Sequence, residues 1–232
     1  MFYGFYYDPT YILVILAFVL SLIASFGVQA TFSKYKKEKT SRGVTGADAA
    51  RRILDMNGLY NIRVERIAGN LTDHYDPSAN VIRLSDSTYN DDSVAAVGVA
   101  AHEAGHAVQH AVGYVPIKVR NAIFPVVKIG TSLSMPLFFI GLIFQMINLA
   151  YLGIILFALA LVFQVVTLPV EINASRRAIR ILDETNLLQD DEIKPAKKVL
   201  TAAAMTYIAA VASTALQLLR LLILVGGRRS DD

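Results

Sequence analysis

Three long stretches without a charged residue constrain this chain more than any other feature of its sequence. Residues 9–33, 129–170 and 199–219 contain no Asp, Glu, Lys or Arg. A helix needs about 20 mostly apolar residues to cross a bilayer, so the first and third stretches can cross once and the second can cross twice. Together with 54% hydrophobic residues, this pattern predicts an integral membrane protein rather than a soluble domain.

The first two stretches predict a membrane anchor and a helical hairpin. Residues 1–33 form the anchor, and five Lys or Arg residues between Ser33 and Arg42 follow it. By the positive-inside rule, those residues place the following chain in the cytosol. Residues 117–170 form the hairpin, with its turn at Asn148 and the end of its second span at Pro169.

A histidine-rich segment predicts a metal site. All four histidines lie within 37 positions, and two of them belong to Ala101-His102-Glu103-Ala104-Gly105-His106. On a helix, a spacing of four puts both imidazoles on one face, about 6 Å apart along the axis, so both can bind one metal ion. Glu103 follows the first histidine and can act as a base on a metal-bound water. A solvated surface helix is the alternative, but the small apolar residues over 94–101 favour a buried metal-binding helix.

The polar stretch 34–116 is predicted to form a small zincin-like catalytic region. The predicted elements are a helix over 46–54 capped by Thr45, strands over 62–67 and 81–84, turns over 73–77 and 78–80, and a metal helix that starts at 85–86 or at 90–93. The strand over 81–84 is a candidate edge strand that aligns an extended substrate above the metal helix.

A catalytic zinc site usually has three protein ligands, and two residues are candidates for the third. His110 lies about 12 Å from His102 along an unbroken helix, which favours a role in packing or beside the metal over ligation. Glu171 is the first charged residue after 42 uncharged ones, and a carboxylate there is costly unless it is paired or bound to metal. The hairpin returns Glu171 to the metal helix, so it is the predicted ligand, with pairing to Arg176 or Arg177 as the alternative.

The segments HEAGHAVQH, DHYDP…VIRLS and PVEINASRRA resemble the YugP-type neutral zinc metallopeptidases of bacterial membranes, and the resemblance covers nearly the whole chain. The wider pattern is similar to HtpX-like membrane proteases, in which a Glu on a later helix is the third zinc ligand. The resemblance implies that Glu171 has this role. The HtpX-like pattern has an Asp four residues after that Glu, whereas this chain has Ser175, so no carboxylate orients a ligand histidine from that position.

These features predict a mainly α fold with a small β part, an integral membrane, zincin-like metalloprotease in which the HExxH helix accompanies membrane helices. The protein is expected to bind one zinc ion and to hydrolyse peptide bonds of membrane or membrane-associated proteins, with Glu103 as general base on a zinc-bound water. Candidates for orienting a ligand or stabilising the transition state are His74, His110, Ser175, Arg176 and Arg177. The alternative is a non-catalytic membrane scaffold or partner-binding protein with a structural metal site.

The expected partners are the lipid bilayer and a polypeptide substrate, with other membrane proteins or a second copy of the chain left open. Basic residues cluster beside the apolar stretches, which speaks against nucleic acid as a partner. The expected location is the bacterial cell membrane, with the active site and residues 171–199 in the cytosol. The absence of cysteine excludes a Cys-ligated site, although imidazole and carboxylate would also accept cobalt or manganese.

Two interpretations stay open for the C-terminal part, residues 200–232. It is either a fourth span or a helix packed against the metal site. Its apolar composition favours the span, whereas Arg228 and Arg229 favour a cytosolic C-terminus, which a fourth crossing would not give.

Overall fold

The computed structural model describes residues 8–228, which form six helices and three short strands. In chain order they are α1 (Tyr11–Tyr35), α2 (Gly46–Met56), β1 (Arg63–Ile67), β2 (His74–Asp76), β3 (Val81–Ser85), α3 (Val94–Ala111), α4 (Val115–Ile143), α5 (Ile147–Glu184) and α6 (Asp190–Arg228). The predicted class, mainly helical with a small β part, is confirmed. Arg229 and the side chain of Arg228, on which the expected cytosolic C-terminus rests, lie outside the described residues.

Four helices are long and apolar enough to cross a membrane, namely α1, α4, α5 and residues Asp190–Gly226 of α6. The length and composition of α6 therefore fit the fourth span. Arg220 interrupts its apolar stretch, but donates hydrogen bonds to Thr10 and Asp8 at 3.2 and 3.3 Å and lies 4.6 Å from the centre of the Tyr11 ring. A charge within an apolar helix is tolerated when it is paired in this way.

The chain divides into two compact units, one of Met1–Ile23, Arg120–Val166 and Tyr207–Asp232, the other of Ala24–Val119 and Thr167–Thr206. In the first unit α4 and α5 pack backbone to backbone, because a Cβ on Gly153 would lie 2.6 Å from the backbone nitrogen of Phe138. Small residues allow such close approach between apolar helices. The second unit contains every residue predicted for the metal site.

The predicted hairpin turn at Asn148 is wrong. Helix α4 ends at Ile143 and α5 begins at Ile147, and Gln145 between them has a φ of 56°. The chain therefore reverses over three residues, with Gln145 in the left-handed conformation that the turn requires. Asn148 lies instead in the first turn of α5.

Helix α5 continues through Pro169 to Glu184, so it extends beyond the predicted third span, whose end at Pro169 stays a prediction. A proline removes one backbone donor from a helix, but α5 has 38 residues and the loss of one hydrogen bond does not end it. Apolar helices tolerate proline where neighbouring groups satisfy the freed backbone carbonyl. As a result, Glu171 and Ser175 lie on the same helix as the apolar segment.

The three strands form one sheet in the order β1-β3-β2, in which β3 is parallel to β1 and antiparallel to β2. The predicted strand over 81–84 is present as β3, but its prediction as an edge strand is wrong, since β3 is central. The predicted turn over 73–77 is wrong too, because His74–Asp76 gain backbone pairing with β3 and form β2. The predicted turn over 78–80 is confirmed, with Asn80 at a φ of 49°.

The polar region has the helix starts that capping predicts. At the start of α2, the Thr45 hydroxyl accepts from the backbone N–H of Asp48, whose carboxylate accepts from the N–H of Thr45, a capping box. At the start of α3, the Ser93 side chain accepts from the backbone N–H of Ala96, so the later of the two predicted starts is correct. Apolar residues of α2, β3, α3 and the end of α5 share one core in this unit.

Candidate metal site

The candidate metal site forms where α3 approaches α5. A Cβ on Gly105 would lie 2.8 Å from the carbonyl oxygen of Ala174, closer than a Cβ atom can come to a backbone oxygen. Alanines precede this glycine on α3, and Ala100, Ala101 and Ala104 are fully buried. Small residues therefore bring the two backbones together and set the distance between the side chains that α3 and α5 contribute.

Three side chains converge at this approach. The Nε2 atoms of His102 and His106 lie 3.3 and 3.4 Å from Oε2 of Glu171. The two rings meet edge to face, with their centres 4.7 Å apart. The side chains are 14%, 12% and 3% exposed, in the same order, so the cluster is almost closed to solvent.

The chemistry of these donors fits a zinc ion. One ligand atom from each of the three residues lies within 4.8 Å of the others, and residues 8–228 contain one such group of His, Cys, Asp and Glu. Two imidazole nitrogens and one carboxylate oxygen form a donor set that catalytic zinc sites use. His110 is not a member of this group.

Each histidine of the cluster is held through its other ring nitrogen. Nδ1 of His102 lies 3.1 Å from the hydroxyl oxygen of Ser175, and Nδ1 of His106 lies 3.0 Å from Oε1 of Gln109. Ser175 is one turn after Glu171 on α5, at the position where the HtpX-like pattern has an Asp. Its hydroxyl group contacts His102 from this position. Contacts of this kind fix the ring orientation and leave Nε2 directed at the cluster.

A buried amide network supports His106, and the sequence reasoning does not find it. The side chain of Gln109 is fully buried and donates to the carbonyl oxygen of Val170 at 2.8 Å and to Oδ1 of Asn173 at 2.9 Å. Oδ1 of Asn173 also accepts from Nε of Arg177 at 2.8 Å. The signal for Gln109 in the sequence is an amide three residues after His106, on a helix whose other polar side chains are three histidines and Glu103.

Glu103 is held beside the cluster by the sheet. It is 9% exposed, and its Oε2 accepts from the backbone N–H of Tyr75 at 2.9 Å. Tyr75 is the middle residue of β2. Because a turn is predicted for residues 73–77, the sequence does not predict this contact. The ring of Tyr75 meets His110 edge to face, with 5.4 Å between their centres, which places His110 in a packing contact.

The remaining predicted residues are outside the cluster of three candidate ligands. His74 is in β2, with Nδ1 2.9 Å from the carbonyl oxygen of Thr72 and Nε2 3.4 Å from Nη1 of Arg83. Arg176 is exposed. Arg177 contacts Asn173, and its guanidinium carbon lies 5.9 Å from the centre of the Tyr114 ring. It therefore acts on the site only through the amide network.

Burial and neighbouring charges shift the ionisation of groups at the site. Burial disfavours charge on His106, but the carboxylates of Glu171 and Glu103 and the hydrogen bond to Gln109 raise the pKa of His106 above its ordinary value. Burial also raises the pKa of Tyr75, so its phenol stays neutral near pH 7. The negative charge at the cluster, which attracts a proton to His106 here, equally favours a divalent cation.

Comparison with known proteins agrees with this chemistry. The family model described as "Putative neutral zinc metallopeptidase" matches residues 10–226. The chain is 47% identical over 217 residues to "Putative membrane protease YugP" of Bacillus subtilis (strain 168), an alignment that covers 93% of this chain and 96% of that protein. No solved structure matches the chain significantly.

The chain therefore belongs to the family described as "Putative neutral zinc metallopeptidase", which confirms the family resemblance predicted from its motifs. Family membership and the four apolar helices support a membrane protein of the zinc peptidase class.

Proposed function

We propose that the protein is a zinc-dependent endopeptidase that hydrolyses peptide bonds in membrane or membrane-associated polypeptides. The observation that carries the proposal is the convergence of His102, His106 and Glu171 at one nearly closed point, with Glu103 next to the first of them on α3. Family membership supports the reaction. The 47% identical relative is named a membrane protease, which supports substrates at the membrane.

His102, His106 and Glu171 would hold one zinc ion, each through one atom. When bound, zinc supplies a Lewis acid that polarises a carbonyl group and makes water more acidic. Ser175 and Gln109 prepare the two rings for this role. Oε1 of Gln109 can only accept, so it favours the proton of His106 on Nδ1, and the hydroxyl of Ser175 can accept from Nδ1 of His102 in the same way. The lone pair of each Nε2 would then face the ligand cluster.

Glu103 would act as the base. Its carboxylate can accept a proton from the attacking water and return it to the departing amine. The N–H of Tyr75 holds Oε2 at 2.9 Å, so the carboxylate is oriented before substrate arrives. Its low exposure keeps competing water away and strengthens its electrostatic interactions.

An extended substrate would align along β2. This strand lies at an edge of the sheet, and since Glu103 accepts from the N–H of Tyr75, a substrate would pair with other backbone groups of this edge. An edge strand next to a catalytic carboxylate can pair with the backbone of a substrate and place its peptide bond. A trapped peptide that pairs with residues 74–76 would support this alignment, and one that contacts none of them would contradict it.

The site would face the cytosol of a bacterial cell. Five Lys or Arg residues follow the uncharged stretch of α1 between Ser33 and Arg42, which favours a cytosolic position for residue 34 onward. The bacterial setting follows the relative from Bacillus subtilis. A single cysteine introduced between α2 and β1 would test the orientation, because the chain has no other cysteine. A membrane-impermeant thiol reagent should label it only after the cells are opened.

The scaffold alternative with a structural metal is less well supported. Structural zinc sites are closed by four protein ligands, whereas the cluster within residues 8–228 has three. A backbone hydrogen bond holds the carboxylate of Glu103 beside the ligands. A structural site has no need for such a carboxylate.

Reversible removal of zinc tests the proposal. The detergent-purified protein should cleave casein, lose this activity with 1,10-phenanthroline and regain it when zinc is added. Glu171→Ala, purified in parallel, should remain inactive after the same addition because one ligand is missing. Cleavage that persists without zinc, or that Glu171→Ala retains, would contradict the proposal.

A further inference from the structure

A groove of about 710 Å³ lies between α1 and α6, and its lining contains none of the candidate metal ligands. It is lined by residues between Ala30 and Tyr35 and between Lys194 and Met205, all within the second compact unit. Lys34 is the first charge after the uncharged stretch of α1, and Lys198 is the last charge before that of α6. The groove therefore lies where two candidate spans change from apolar to charged, which is the position of a membrane surface.

The lysines of the groove form no ion pair with an acidic side chain among the described residues. Four exposed lysines line the groove, namely Lys34, Lys194, Lys197 and Lys198. Within residues 8–228 none of the four forms an ion pair with a carboxylate, whereas the nearby Lys36 and Lys39 pair with Asp91 at 3.9 and 3.4 Å. The lysines of the groove are thus available to an anion from outside the chain.

A buried aromatic ring organises two of these charges. Tyr35 is 6% exposed, and the Nζ atoms of Lys34 and Lys198 lie 5.2 and 6.0 Å from the centre of its ring. These distances are within the range of cation–π attraction. One ring therefore attracts a lysine from each helix, which brings two of the charges to the same part of the groove.

The remaining lining is suited to an amphiphile. Ala30, Ala202 and Met205 give the groove an apolar wall, and Thr31 and Thr201 add hydroxyl groups. We propose that this groove binds an anionic phospholipid, with the lysines on the phosphate of its head group and the apolar wall along the start of its acyl chains. Basic pockets between membrane helices bind anionic head groups by this chemistry, and a free phosphate would leave the apolar wall unused.

Native mass spectrometry of the full chain in a neutral detergent tests the proposal, with phosphatidylglycerol and phosphatidylcholine of identical acyl chains as probes. One phosphatidylglycerol should bind in preference to phosphatidylcholine. Each lysine near an anionic surface contributes about a fivefold gain in affinity. The triple variant Lys194→Gln, Lys197→Gln and Lys198→Gln should therefore weaken phosphatidylglycerol binding by up to about 100-fold.

A matched triple variant separates the groove from general attraction to the membrane. Lys36→Gln, Lys37→Gln and Lys39→Gln remove the same charge just after α1 but leave the groove lining intact, so phosphatidylglycerol affinity should be unchanged. Equal losses in both triple variants, or no preference between the two lipids, would overturn the proposal. Displacement of the lipid by inorganic phosphate would also overturn it, because the site would then belong to a soluble anion. Unchanged thermal unfolding of both variants verifies that they fold.

Discussion

Replacing Gly105 with alanine should weaken zinc binding without touching a ligand. The new Cβ would lie 2.8 Å from the carbonyl oxygen of Ala174, whereas ordinary contacts begin at 3.4 Å. The two helices must therefore separate by about 0.6 Å, which exceeds the tolerance of about 0.2 Å for metal–ligand distances. Because α3 carries both histidines and α5 carries Glu171, we expect zinc affinity to fall by about tenfold or more.

The stability of Gly105→Ala should fall as well, and two opposing effects determine by how much. Overpacking costs about 1–3 kcal/mol, and replacing glycine by alanine within a helix returns about 1 kcal/mol. The free energy of unfolding of Gly105→Ala should therefore decrease by up to about 2 kcal/mol.

A second glycine on α3 provides the control. A Cβ on Gly98 would lie 3.7 Å from Cβ of Ala196, an ordinary contact, so Gly98→Ala should gain stability and keep its zinc affinity. Zinc titration by competition with a chromogenic chelator and thermal unfolding in detergent measure both quantities. If folded Gly105→Ala bound zinc as tightly as the wild type, the idea that the approach of α3 to α5 sets the metal geometry would be refuted.

Three other perturbations test separate parts of the site. Tyr75→Pro removes the N–H that holds Glu103, so the kcat of this variant should fall by about tenfold or more while zinc is retained. Tyr75→Ala keeps the N–H and should keep most of the activity. Equal loss of activity in both variants would contradict the role of the N–H. Gln109→Leu removes the acceptor for Nδ1 of His106 and should weaken zinc binding by about 10–100-fold, and wild-type affinity in this variant would contradict the support that we assign to the amide. Zinc at a hundred times its Kd should stabilise the protein by about 2.7 kcal/mol, measured as a rise in Tm over the chelated protein, and Glu171→Gln should show a much smaller rise.

The metal cluster was accessible from the sequence because its geometry depends on short-range rules. The helical period alone puts His102 and His106 on one face, and the cost of a carboxylate at a membrane edge points to Glu171. The contacts of Gln109 and Tyr75 depend instead on which helix or strand packs next to α3. Spacing along the chain carries no information on such tertiary neighbours, so these two residues emerge only from the structure.

The departures of the fold from local signals have a similar origin. Asp73 and Pro77 are typical turn residues, yet pairing with β3 makes an edge strand of the residues between them. Pro169 is a local signal for a helix end, but the long α5 continues through it. Strand pairing at residues 74–76, and the hydrogen bonds of the remaining turns of α5 at Pro169, outweigh a preference that one residue expresses locally. Capping at Thr45 and Ser93 was predictable, because the donor and acceptor lie three residues apart.

Zinc content and peptide hydrolysis, measured side by side for the wild type and Glu103→Gln, test the central claim most directly. Glu103 is adjacent to the ligands but outside the cluster of three, so the substitution should leave metal binding intact and remove the base. One equivalent of zinc in both proteins, with cleavage of casein by the wild type alone, is the predicted result. Absence of zinc from both, or equal cleavage by both, would contradict the account.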